Sequence, residues 1–267
     1  MSQATPMSQV TSLPRTRPTS VPATLDRGSG TRARIGLIAL AGDATVEPDF
    51  RALGLAPDIT LHVSRVPSLA VTVENLLMTA RGLTQATALV LPGQRLDVLA
   101  YACTSGTVVA GVPAVIAAIR AARPGIAVTT PITAALAGFQ RLGVHRVAVL
   151  TPYVEEVNAP VVSYLEANGI DVVDIASFNL LAEDEMCRVV PEAIAAAAEG
   201  LDHRRADALF ISCTALRALG LIDRLEGRLG KPVLSSNHAL YWHALRLAGV
   251  MDPVPGFGRL MRLSLGA

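Results

Sequence analysis

The chain has 267 residues, 51% of them hydrophobic, 17% charged and only 4% aromatic, with a formal net charge of +1. That apolar content fills one large core or two small ones, and the absence of a basic stripe with stacking aromatics excludes nucleic acid as a partner. No uninterrupted apolar run reaches the roughly 18 to 20 residues of a membrane span, so no membrane partner is expected, and three cysteines without a paired framework or secretory leader indicate a reducing, cytoplasmic setting.

Residues 1–30 are rich in Ser, Thr, Pro and Arg, with Asp26 as the only acid, and read as a disordered tail. From Arg34, RIGLIAL makes a strand that ends in the loop 41–47, and Ile59 to Val66 makes a second strand. The segment 72–86 reads as one helix, opened by Thr72 as a cap and carrying Leu76, Leu77 and Leu83 at helical spacing. LDVLAYACTSGT (96–107) follows; its apolar run lacks a helical period and stops at Cys103, as expected of a strand buried on both faces. The next stretch, VVAGVPAVIAAIRAA (108–122), suits a single buried helix, and a strand at 126–129 leads into a helix at 130–142.

At Gly143 the order restarts. VHRVAVLTPY (144–153) forms a strand, 157–168 a helix stopped by Gly169, and IDVVDIASF (170–178) another strand. A helix at 191–200 precedes the second Cys segment, ADALFISCTAL (206–216), which repeats the first after about 110 residues and runs into a helix-forming stretch at 215–221. KPVLSSNHAL (231–240) then echoes IAVTTPITAA (126–135). Repeated strand-then-helix order predicts parallel sheets covered by helices. Its duplication predicts an α/β fold of two pseudo-symmetric Rossmann-like lobes, 31–142 and 143–267, with the last helix crossing back.

Ligands of open α/β sheets bind outside the carboxyl ends of the strands. The cleft between the lobes is therefore expected to be lined by Asp43, Cys103, Thr104, Ser105, Thr129 and Thr130 from the first. The second offers Tyr153, Asn179, Cys213, Thr214 and Ser235 to Asn237. Both thiols should lie at strand-to-helix turns, where free amides and the helix dipole lower a thiol's pKa from about 8.5. One as thiolate and one as thiol, they can move a proton from one face of a carbon to the other. The turn amides at Thr104, Ser105 and Thr214 and the hydroxyls of Thr129, Tyr153 and Ser235 would stabilise the carbanion. Thiol addition to a double bond, rotation and departure is a second use of the pair. Proton donation by one Cys after decarboxylation is a third. No metal-ligand cluster, phosphate loop or dinucleotide fingerprint is present in the sequence, so no metal or cofactor is expected.

The two Cys segments, TPYVEEVN (151–158) and the duplicated halves resemble the aspartate/glutamate racemase superfamily, in the branch of maleate cis-trans isomerases and arylmalonate decarboxylases. The resemblance covers roughly residues 33–250. RIGLIALAGDATVEPDF, LDVLAYACTSGTVV, FISCTALRA and KPVLSSNHALYWHALRLAG are most similar to the ectoine-utilisation racemase-like proteins. The resemblance implies Cys103 and Cys213 as the catalytic pair, Tyr153 as a carboxylate ligand and Asn179 in the place of a carboxylate-binding Asn. Asp43 stands where maleate isomerases carry an Asn; a carboxylate there repels a second substrate carboxylate and attracts an ammonium.

The expected function is a cofactor-independent two-cysteine isomerase, a racemase or epimerase acting next to the carboxylate of a small amino-acid-type substrate such as N-acetyl-2,4-diaminobutyrate in ectoine degradation. Maleate isomerase, arylmalonate-type decarboxylase and, from another class, a non-catalytic small-molecule binder are the alternatives. Asp43 also fits a helix cap or a turn. Cys187, within AEDEMCRVV, reads as an inert thiol, and His238 and His243 as packing residues beside Tyr241 and Trp242. Helices rich in Ala and Leu with few charges suggest a homo-oligomer.

Overall fold

The computed structural model describes residues 19–68 and 70–266. Most of the predicted tail, 1–18, lies outside the described residues, and 19–29 run exposed without helix or strand. The remaining chain forms two four-stranded parallel sheets. Strands β1 (Ala33–Leu40), β2 (Ile59–Val66), β3 (Val98–Ala102) and β4 (Ala127–Thr129) make the first, in the order β2-β1-β3-β4. β5 (Arg146–Thr151), β6 (Asp171–Ser177), β7 (Ala208–Ile211) and β8 (Val233–Ser235) make the second, in the equivalent order β6-β5-β7-β8.

The two inner Cys strands, β3 and β7, are buried at every residue, whereas the edge strands β2 and β6 are half-exposed. Burial on both faces is why VLAYA and ALFI show no polar alternation. Helices α1 (Val46–Ala52), α2 (Val73–Arg81), α3 (Leu83–Ala88), α4 (Thr104–Ala110), α5 (Val112–Ala122) and α6 (Pro131–Leu142) accompany the first sheet. The second half adds α7 (Glu155–Ala167), α8 (Glu183–Arg188), α9 (Pro191–Gly200), α10 (Ile222–Leu229) and α11 (Ser236–Leu247). No single helix among the described residues is long and apolar enough to cross a membrane.

Local chemistry explains most boundaries. Thr72 accepts the Asn75 amide and caps α2, Thr130 and Thr133 form a capping box ahead of α6, and Gly143 ends α6 in the left-handed conformation. α11 follows β8 directly but packs on α6 and β3 of the first half, where Phe50 and Tyr241 meet edge to face at 5.0 Å. The last helix thus closes the first lobe over the junction between the sheets.

Three expectations are corrected. The single helix at 72–86 is α2 and α3, meeting at Gly82. The single helix after Cys103 is α4 and α5, bent by 98° at Gly111, whose φ of +86 suits a glycine and precedes a helix-starting Pro113. The stretch 215–221 is not an α-helix: the chain turns at 214–216 and forms a 3-10 turn at Leu219–Leu221 before α10. Two carbonyls that a helix there would use are taken. Asn237 donates to the Thr214 carbonyl at 2.8 Å and Thr45 to that of Ala215 at 2.8 Å.

Candidate active site

Cys103 follows β3 and caps α4, its Sγ accepting the Gly106 amide at 3.2 Å while its carbonyl accepts the Thr107 hydroxyl at 2.6 Å. Gly106 is needed for this approach, since a Cβ there would lie 2.6 Å from Sγ and 3.0 Å from the Tyr101 hydroxyl. Cys213, two residues beyond β7, has a φ of +143, a value that L-residues seldom adopt. Its amide donates to Ser236 Oγ at 2.9 Å, and Ser236 Oγ also meets Thr104 Oγ1 at 2.7 Å. One hydroxyl at the start of α11 therefore ties both thiol turns together.

Both thiols line one small, narrow cavity. Thr104, Ser105, Tyr153 and Thr214 line it with them, and Leu40, Val71 and Met186 supply apolar wall. A wider groove along α6, beside Gln140 and His145, holds no thiol and no buried polar cluster. Thr214 reaches across the lobes to the Ala102 carbonyl at 3.3 Å.

The other residues singled out in the sequence do not line this cavity. Asp43 lies just behind it: Oδ1 accepts the Thr45 and Val46 amides at 2.8 and 2.9 Å, while Oδ2 is buried without a partner. Thr129 meets His243 Nδ1 at 2.8 Å, Thr130 is engaged by Thr133, and Ser235 caps α11 by accepting the His238 amide at 3.2 Å. Asn237 bridges the Thr214 carbonyl and Asp49 Oδ2, each at 2.8 Å. Asn179 is exposed, in a left-handed turn with φ of +54. Local capping and turn bonds thus account for the side chains of Thr130 and Ser235.

The expectation of lowered thiol pKa values is also corrected. Burial pushes the Cys103 thiol up to about 12, the Gly106 amide opposing this only in part, and burial pushes Cys213 up too. Cys213 heads no helix, and the carboxyls of Glu183 near Cys103 and Asp43 near Cys213 add to the rise. Tyr153 presents its hydroxyl to Cys213, and its own pKa is raised, first by burial.

Two residues were not foreseen. Tyr101, fully buried beside Cys103, lies inside the apolar run of β3, and Glu183 is one of three acids in the first turn of α8. Glu183 lines the cavity, is 5% exposed, and its Oε2 has no partner. Only the inward rotation of α8 singles it out from its exposed neighbours Asp184 and Glu185.

Two equivalent parallel-sheet lobes, each carrying a thiol from its inner strand end into a shared cavity, belong to the class of two-lobed α/β isomerases, and the chain is an isomerase. A family model described as "Arylmalonate decarboxylase" matches residues 70–261, and the chain belongs to that family. The maleate isomerase of Nocardia farcinica is 32% identical over 241 residues, 86% of this chain and 95% of that protein. The arylmalonate decarboxylase of Bordetella bronchiseptica is 36% identical over 142 residues, 51% of this chain and 58% of that one. Among solved structures, a mutant of the Nocardia farcinica maleate cis-trans isomerase with a covalently bound succinylcysteine intermediate matches with a TM-score of 0.79. It is 28% identical, and the match covers 86% of this chain and 98% of that one.

Proposed function

We propose that the protein is a cofactor-independent racemase or epimerase that inverts the carbon next to the carboxylate of a small amino-acid-type substrate, N-acetyl-2,4-diaminobutyrate being the candidate from ectoine breakdown. The observation that carries this reading is the pair of buried, free cysteines in one cavity, from equivalent strand ends of the two sheets. In the proposed step one thiolate takes the α-proton: a C–H bond breaks, an S–H bond forms, and the electron pair delocalises into the carboxylate. The other thiol returns a proton to the opposite face, forming a new C–H bond and becoming the thiolate. Amides and hydroxyls of Thr104, Ser105 and Thr214, with the Tyr153 hydroxyl, are the proposed carboxylate donors.

The pair needs one thiolate, and burial together with the carboxyls of Glu183 and Asp43 opposes it. A substrate that brings an ammonium offsets the carboxyls of Asp43 and Glu183, whereas one that brings a second carboxylate adds to them. Electrostatics therefore favours the amino-acid reading over maleate.

Maleate isomerisation is the second reading. The names of the relatives and the succinylcysteine adduct of the Nocardia farcinica structure favour it. There a thiolate adds to one alkene carbon, the C–C bond rotates, and the thiolate departs to leave the trans isomer. Proton NMR in D2O of the reduced enzyme, with separate samples of maleate, aspartate, 2,4-diaminobutyrate and its N-acetyl forms, separates the two. Loss of the α-proton followed by the other enantiomer is the expected result. Conversion of maleate to fumarate without α-proton exchange in any amino acid would replace the first reading by the second.

A further inference from the structure

Glu183 is a buried carboxylate with no salt-bridge partner among the described residues, opposed in its desolvation only by the Ser68 hydroxyl, Arg65 and the Gly42 amide. Its side chain turns inward beside Met186 and lines the cavity at 5% exposure, while Asp184 and Glu185 of the same helical turn face solvent. It makes no salt bridge among the described residues, and its buried Oε2 has no hydrogen-bond partner. The nearby cation, Arg65, is committed elsewhere: its guanidinium donates to the carbonyls of Leu40, Ala41 and Asp43 and pairs with Glu47.

The sequence makes room for this carboxylate. Glu183 crosses from the second half to the β1–α1 loop of the first, and at Gly42 a Cβ would stand 2.6 Å from Oε2. The residue after Gly42 is Asp43, whose Oδ2 is the other buried and unpartnered carboxylate oxygen of this region. Asp43 raises Glu183 and Cys213, Glu183 raises Cys103, and desolvation raises both carboxyls, Glu183 to about 7. An isolated carboxylate without a compensating charge is costly to bury. The described residues hold no group of three His, Cys, Asp or Glu suited to a metal ion. The compensating charge that fits two carboxylates beside this cavity is a ligand's ammonium.

We infer that Glu183, with Asp43 behind it, forms the subsite for the cationic nitrogen of the substrate, the Glu183 carboxylate accepting from a primary ammonium. The inference rests on the amino-acid reading above and adds to it the group that selects such a substrate. In this role Glu183 determines specificity, and it leaves the proton transfer to the thiols.

The test uses three ligands of one length: 4-aminobutyrate, pentanoate and glutarate, which end in an ammonium, a methyl and a second carboxylate. Calorimetric titration at pH 8 of the intact protein should show 4-aminobutyrate binding at least about tenfold tighter than pentanoate, with glutarate weakest. Glu183→Gln should bring that preference to threefold or less while leaving pentanoate unchanged. Gly42→Ala, which keeps every charge but crowds Oε2, should reduce it as well and guards against a folding defect in the first variant. A preference that survives both substitutions, or tighter binding of glutarate by the native protein, overturns the subsite. Retained preference for 4-aminobutyrate with no α-proton exchange in any amino acid overturns the racemase reading alone and leaves the subsite standing.

Discussion

Thr104 and Ser236, 132 positions apart, meet hydroxyl to hydroxyl at 2.7 Å, and the same Ser236 oxygen accepts the Cys213 amide at 2.9 Å. The neighbour of one thiol is thereby bonded to the residue that holds the backbone of the other. Since Cys213 sits at a φ of +143, its position relies on that support. Ser236→Ala should lower kcat about tenfold or more with little change in KM, because a buried donor left unpaired costs on the order of 1–3 kcal/mol. Steady-state kinetics alongside a thermal melt check this; a kcat equal to the native value would show that the bridge plays no part in placing Cys213.

Cys103→Ser and Cys213→Ser should each reduce isomerisation by roughly 10²-fold or more, as expected when one member of an acid–base pair is lost. Ligand affinity measured by calorimetry should change little. Full turnover by either variant would exclude the two-thiol mechanism, and unchanged binding with no native turnover on the substrate panel would leave a binder.

The unliganded thiols should be slow to alkylate. Burial raises Cys103 to about 12 and also pushes Cys213 well up, so at pH 8.5, where about half of free cysteine is thiolate, both should react with iodoacetamide far more slowly than free cysteine. Peptide mapping by mass spectrometry separates them from the half-buried Cys187. Rapid labelling of Cys103 at pH 7 would show that the pocket stabilises a thiolate in the absence of ligand.

Glu183 also predicts a pH dependence of stability. Its carboxyl rises from 4.5 to about 7 on folding, first through burial and next through Asp43. Between those values the folded chain holds a proton that the unfolded chain has released, so its contribution is full below pH 4.5 and is lost as pH rises through 7. Glu183→Gln should therefore gain on the native protein as pH increases from 5 to 8, by on the order of 2 kcal/mol. His238 runs the other way: its burial in a neutral form, with a pKa near 4, costs stability below 6.5, so the difference between variant and native protein is the quantity to read in urea titrations. A gap that does not widen with pH would mean that Glu183 ionises freely in the fold.

What the residues of this chain determine by themselves is the part of the structure that depends on neighbours in sequence. The unbroken apolar runs VLAYA and ALFI name the two inner strands, the caps Thr72, Thr130 and Ser235 mark helix starts, and the repeated order gives two lobes with a thiol at each inner strand end. The runs and caps are each decided within about four residues, the reach of a helical turn or a strand pleat, and the repeat is read by setting two such local patterns side by side. The tertiary structure alone decided the rest. The stretch 215–221 is denied a helix because Asn237 and Thr45, from distant elements, take the carbonyls of Thr214 and Ala215 at its start. Glu183 became a cavity residue because α8 turns it against Gly42, 141 positions away, and the thiol pKa values rise because the fold buries both groups. Desolvation and the competition for buried hydrogen-bond partners are sums over everything packed nearby, and no local pattern in a sequence carries them.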